Sequence, residues 1–138
     1  LHMRMHTGLH LLGSVLKYGV TGGNISSEKS RLDFDMEEPV DKEYVNSQLE
    51  KLVSEDHQVT SSWITQEELK QNPKLIRTMS VRPPENASNI RLVKIGNVDL
   101  QPCGGTHVKS TGEVGKIVVS KVEKKGKRNR RVNVKLMD

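Results

Sequence analysis

The feature that most constrains this chain is a spacing that occurs twice. His6-Thr7-Gly8-Leu9-His10 places two imidazoles four residues apart, and Cys103-Gly104-Gly105-Thr106-His107 places a thiol and an imidazole at the same separation. On a helix, residues four apart lie one turn apart on the same face, so the first two rings can converge on one ion. Imidazole nitrogen and thiolate sulfur are the ligands that favour zinc. If both pairs close one His3Cys tetrahedron, the fold must bring the helix at the start of the chain against a loop in its last third. Each pair alone is commonplace, since a helical histidine is more often a surface or core residue. Together they use the chain's single cysteine and three of its five histidines.

Size and composition narrow the rest. The 138 residues suit one domain, 1–138, with a modest core: 33% are hydrophobic and mean hydropathy is −0.59. At this length roughly two-thirds of the unfolded chain's surface is buried on folding. No apolar run is long enough to span a membrane, and LHMRMHTGLHLL lacks a signal peptide's h-region and cleavage site. One cysteine excludes an intrachain disulfide and a four-cysteine zinc ribbon, and a zinc-binding thiol suits a reducing cytoplasm. The aromatics, 3% of residues, are Tyr18, Phe34, Tyr44 and Trp63, a poor stacking platform for single-stranded nucleic acid.

The net charge of +5 is local. Lys124, Lys125, Lys127, Arg128, Arg130 and Arg131 lie within KKGKRNRR, and without them the chain carries 16 cations against 17 acids. Such a patch is a phosphate-backbone contact or a solvated turn that keeps the protein soluble.

The periodicity predicts an α+β fold, an antiparallel sheet with two main helices packed on it. Leu9, Leu12 and Leu16 recur at helical spacing over about His2 to Lys17, with Gly19 as a stop. VTGGNIS and RLDFD predict strands around an SSEKS turn. Val45, Leu49, Leu52 and Val53 form the apolar stripe of a second helix, Asp41 to Glu55, with Asp41 as N-cap. VTSSWIT predicts a strand. TQEELKQNP predicts a short helix, capped by Thr65 with Glu68 at the capping-box position. VRPPENASN is a loop, IRLVKIG and VDLQP are strand-like, and EVGKIVVSKVE pairs with RRVNVKLM around the basic turn.

Chemistry follows from the ligand pairs and their neighbours. A zinc protease of the helical histidine type needs a glutamate after the first histidine, where this chain has Thr7. Gly104 and Gly105 permit close backbone approach and expose amides to an oxyanion, or simply make a tight turn. Asp99 and Gln101 either support a ligand and a substrate amine or face solvent.

HTGLHLL together with DLQPCGGTHVKSTGEVG resembles the editing domain of alanyl-tRNA synthetase, and in particular its freestanding trans-editing relatives, the AlaX proteins. VTGGNIS, RLDFD, LIRTMSVRPPE, RLVKIGNVDLQP and KVEKKGKRNRRV extend the resemblance over essentially the whole chain. CGGTH marks the alanyl type rather than the threonyl-tRNA synthetase editing domain. The resemblance implies an aminoacyl-tRNA deacylase acting on tRNA(Ala) mischarged with serine or glycine. It implies zinc on His6, His10, Cys103 and His107, with Thr7, Thr21, Gly23, Asn24, Asp99, Gln101, Gly104, Gly105 and Thr106 around the substrate. Gly8 departs from the family's usual alanine. Glycine inside a helix costs roughly 1 kcal/mol relative to alanine, so local loosening is expected. The absence of a glycine-rich N-terminal domain and of an aminoacylation domain points to the short, freestanding form.

Four protein ligands make a closed site, which normally reads as structural, so zinc either activates water at a fifth position or only positions the tRNA end. A pocket that hydrogen-bonds the serine hydroxyl rejects alanine, whose methyl leaves polar groups unpaired; Thr7, Thr21 and Asn24 are the expected partners. The six-cation turn, with Arg82 and Lys109, is expected to hold the acceptor stem by its phosphates. The expected partner is tRNA(Ala), with neither DNA nor membrane, and a monomer is favoured. The alternatives are a non-catalytic, zinc-stabilised tRNA-binding module and an editing fragment of a full synthetase.

Overall fold

The structure is a computed structural model that describes residues 2–16, 18–26, 29–72, 89–103 and 105–137. Among the described residues three helices, α1 (His2–Val15), α2 (Lys42–Ser54) and α3 (Gln66–Lys70), accompany seven strands. These are β1 (Gly19–Asn24), β2 (Lys29–Asp35), β3 (Val59–Thr65), β4 (Asn89–Ile95), β5 (Asp99–Pro102), β6 (Ile117–Gly126) and β7 (Asn129–Leu136). The α+β expectation holds. The strands divide between two antiparallel sheets, one ordered β1-β2-β7-β6 and the other β3-β4-β5.

Local signals set the helix starts. The Asp41 carboxylate accepts from Tyr44 N, and the Thr65 hydroxyl accepts from Glu68 N, each satisfying an amide that the first helical turn leaves unpaired. Glu113 closes the 3-10 turn Thr111–Val114 in the same way, its carboxylate accepting from Lys109 N and Ser110 N.

The core centres on α1. Met5, Leu9, Leu11, Leu12 and Leu16 pack with Phe34 and Met36, with Val45 and Leu49 of α2, with Ile95, Val108 and Val114, and with Ile117, Val119, Val132 and Val134. Full burial of each such side chain contributes roughly 1.5–3 kcal/mol. From Thr7 to Leu12 every residue of α1 is buried, so this helix is enclosed rather than laid on a surface. Gly8 fits that enclosure: a Cβ there would lie 2.4 Å from Ile117 Cδ1, which fills the space instead. A second small core, Leu69, Ile90 and Leu92, lies under α3.

Register assigns the sheet faces. In the three-stranded sheet Val93 opposes Gln101 and Ile95 opposes Asp99, and Cys103 N donates to Arg91 O at 3.1 Å. Asp99, Gln101 and Cys103 therefore share the face that Val93 and Ile95 present. Among the described residues, no helix is long and apolar enough to cross a membrane.

Candidate metal centre and cleft

The two spaced pairs meet. One ligand atom from each of His6, His10, Cys103 and His107 lies within 4.8 Å of the other three, forming a group that can hold a metal ion. The Cys103 Sγ stands 3.5 Å from His6 Nε2 and 3.5 Å from His107 Nε2. The rings pack around it: His6 stacks on His107 with centroids 4.1 Å apart, and His10 stands edge-on to both.

Each imidazole has a neighbour for its other nitrogen. His6 Nδ1 donates to the Thr106 carbonyl at 3.0 Å, since a carbonyl only accepts, and Nε2 is the nitrogen that faces Cys103. His10 Nδ1 lies 3.5 Å from the Asp99 carboxylate and also touches the Gln101 amide, which donates to Asp99 at 2.8 Å. His107 Nδ1 bonds the Thr7 hydroxyl at 2.9 Å, and that hydroxyl also accepts from Val108 N. Partners of this kind fix the tautomer and orientation of ligating histidines.

The electrostatics match a ligand set. Hydrogen bonds from His10, His107 and His6, in that order, pull the Cys103 pKa from 9.0 to about 3, so the sulfur is a thiolate at neutral pH. Burial works against charge on His10, but Asp99 and Cys103 outweigh it and raise its pKa. At His107 burial, joined by the charges of His10 and His6, overrides Cys103 and lowers it.

The loop geometry depends on glycine. A Cβ on Gly105 would lie 2.3 Å from His6 Cε1, so the ring can reach its place only against a bare backbone. Arg91 holds the same loop, donating from Nη1 to Gly105 O at 2.6 Å. Nothing in the sequence singled out Arg91, whose role follows from strand register alone.

His6 and His10 form one wall of a cleft of about 750 Å³. Gly23, Asn24, Asp99 and Gln101 line it as expected, joined by Tyr18 and Leu32, which the sequence did not flag. Two expectations are corrected. Thr7 is 0% exposed and turned to His107, not to a substrate. Thr21 sits at an irregularity between Val20 and Gly22, does not line the cleft, and donates its hydroxyl to Asn129 Oδ1 at 3.2 Å. Thr106 contributes its carbonyl to His6 rather than a side chain to the cleft. Gly104 and Arg82 lie outside the described residues.

The basic turn is also reduced. Arg130 is 7% exposed, its guanidinium donating to the carbonyls of Gly126, Lys127, Asn129 and Glu37. It shares the inward alternation of Val132 and Val134, which makes it an internal strut and withdraws it from any phosphate contact. Arg131 pairs with Asp33 at 3.0 Å, Arg128 with Asp35 at 3.3 Å and Lys125 with Glu123 at 3.4 Å. Lys124 and Lys127 are exposed and have no ion pair among the described residues, and Lys109 is exposed two positions beyond His107.

Residues 90–133 match the family described as the threonyl and alanyl tRNA synthetase second additional domain. The chain is 33% identical over 143 residues to the alanyl-tRNA editing protein AlaX-M of Methanosarcina acetivorans, an alignment covering 99% of this chain and 58% of that protein. It is 34% identical to AlaX-M of Saccharolobus solfataricus, with 94% and 56% covered. It is 36% identical to AlaX-L of Pyrococcus horikoshii, with 91% and 31% covered. The chain thus spans less than two thirds of the length of each of these relatives.

Proposed function

We propose that this chain is a zinc-dependent aminoacyl-tRNA deacylase that removes serine, and glycine, from mischarged tRNA(Ala), all of 1–138 acting as one editing domain. The observation that carries the proposal is the opening of a thiolate–imidazole cluster onto a cleft of about 750 Å³, in a chain similar over nearly its whole length to alanyl-tRNA editing proteins. Cavities of that volume suit a small-molecule-sized group such as an esterified terminal nucleoside.

The donor set fits zinc. Zinc–sulfur and zinc–nitrogen bonds of about 2.3 and 2.0–2.1 Å at a tetrahedral angle require sulfur and nitrogen about 3.5 Å apart. Both Sγ···Nε2 separations are 3.5 Å. Bound there, zinc supplies positive charge that polarises a carbonyl and acidifies water. His6, His10, Cys103 and His107 hold it, and Thr106 O, Asp99 and Thr7 Oγ1 keep the three rings aimed.

The remaining groups select the ester. Asp99 is the acid among the cleft's lining residues, which suits the ammonium of an aminoacyl group. Of the three expected partners for the serine hydroxyl, Asn24 alone lines the cleft and keeps that role. An amide placed for that hydroxyl is left unpaired by alanine, and loss of such a pairing gives strong discrimination.

The test is deacylation of Ser-, Gly- and Ala-tRNA(Ala) by the wild type, by C103A and by the wild type treated with a chelator. Hydrolysis of the first two, sparing of the third, and loss of activity with C103A or chelator are expected. Full activity of C103A overturns the metal site. Tight tRNA binding by the zinc-loaded wild type without hydrolysis supports instead the non-catalytic tRNA-binding module.

A further inference from the structure

The cleft shares a wall residue with a second niche at the edge strand. Asn24, the last residue of β1, lines both the cleft and a second niche of about 230 Å³ whose other walls are Ser26, Lys29, Ser30, Arg31 and Asn133. Register places that niche on the opposite, outward face of the four-stranded sheet. Asn24 opposes Arg31, Arg31 opposes Asn133 and Asn133 opposes Lys121, while Lys29 opposes Lys135. The inward face of the same strands carries Leu32, Phe34, Val132 and Val134.

The pairing of Lys29 with Lys135 is the unusual element. Like charges directly opposite on neighbouring strands destabilise a sheet, and their Cβ atoms lie roughly 5 Å apart. Both side chains are exposed, and neither has an ion pair among the described residues. Further along the same face, by contrast, the Asp33 carboxylate stands between Arg31 and Arg131 and bonds both. The niche's hydroxyls are committed to the local turn: the Ser30 hydroxyl donates to Ser26 O and accepts from Ser26 N, and the Ser26 hydroxyl donates to Lys29 O. Asn133 is likewise committed, donating to Lys121 O and to the Glu123 carboxylate, which leaves the Asn24 amide with Lys29 and Arg31 as the niche's donors to a phosphate.

We propose that this niche is the exit track of the RNA: the single-stranded 3′ tail leaves the cleft over Asn24, and its phosphates lie between Lys29 and Lys135 beside Arg31. The inference rests on the editing reading above and adds a surface to it. It differs from the basic turn between β6 and β7, several residues along the sheet, in sharing Asn24 with the cleft. It also makes Asn24 the hinge between ester and tail. Contacts of this kind fix register along the strand without reading bases.

The test compares two substrates in the full chain: seryl-tRNA(Ala), and the seryl ester of free adenosine, which has no tail. For K29Q/K135Q, KM for seryl-tRNA(Ala) is expected to rise about tenfold with kcat unchanged, and the slope of log KM against log salt to fall by about 1.4, the value for two single-strand phosphates. Turnover of the adenosine ester is expected to be unchanged, and K29R/K135R to restore the tRNA KM. A K29Q/K135Q variant that matches the wild type on tRNA at every salt concentration overturns the inference. Equal losses on both substrates overturn it too, since the lysines would then act on the ester site or the fold. If the wild type hydrolyses neither ester, the editing reading fails by itself. The track is then read from binding of a fluorescent CCA-ended RNA oligonucleotide, and equal affinity of K29Q/K135Q and wild type overturns it.

Discussion

Thr7 shows how a ligand's neighbour acquires its role. On a helix the residue after His6 is turned by about 100° from the His6–His10 stripe, so it faces a different partner. That partner is His107, whose Nδ1 bonds the Thr7 hydroxyl. T7V keeps the side chain's shape and removes the bond, and is expected to weaken zinc binding by about 10- to 100-fold. Competition against a chromophoric chelator measures this, and an unchanged affinity would mean that His107 is held by other contacts. The ligands themselves were legible because the spacing of four carries them, twice. The orienting shell was legible only at Asp99 and Gln101. Thr21 misled because it falls at a strand irregularity that the residues do not reveal, where its hydroxyl bonds Asn129.

At the scale of elements, α1 is where local preference and packing disagree. Alanine at position 8 would improve helix propensity by roughly 1 kcal/mol. Its methyl would also collide with Ile117 Cδ1, which sits 2.4 Å from the Cβ position. G8A is therefore expected to lower the urea midpoint in the wild type and to raise it in the I117V background, which lacks that methyl. The two substitutions then couple by about 1 kcal/mol or more. Additive effects would show that Ile117 simply moves aside. The glycine reads as a weak point in the helix until its neighbour from β6 is known. The capped starts of α2 and α3 were legible because caps are local. The division of the strands into two sheets was not, because β2 pairs with β7 across most of the chain, and nothing near either strand encodes its partner.

For the whole molecule, charge count and charge placement part company. Six cations in eight residues suggested one phosphate-binding turn, but alternation along β7 turns Arg130 inward with Val132 and Val134, and carboxylates engage three of the others. R130A is expected to lower folding stability by about 1–3 kcal/mol, through carbonyls left without their donor, and to leave the salt dependence of tRNA binding unchanged. K124Q/K127Q is expected to do the reverse, preserving the melting temperature and reducing the salt slope by between about 1 and 2. Denaturation alongside salt-titrated tRNA binding distinguishes them, and a flattened slope for R130A would return that residue to the RNA surface. The alternation that predicted buried valines at 132 and 134 already contained the orientation of Arg130.

The clasp between His6 and Cys103 joins residues 97 positions apart in the chain. Closing a loop of that length costs about 4 kcal/mol in chain entropy before any contact repays it. During synthesis α1 leaves the ribosome long before the loop that completes its ligand set, and its apolar surface has no β6 or β7 to pack against. A metal held by all four ligands can therefore be captured only after the Cys103–His107 loop has been made. A truncated product that stops short of His107 would carry the helix and half the ligands, with neither the site nor the core that encloses it.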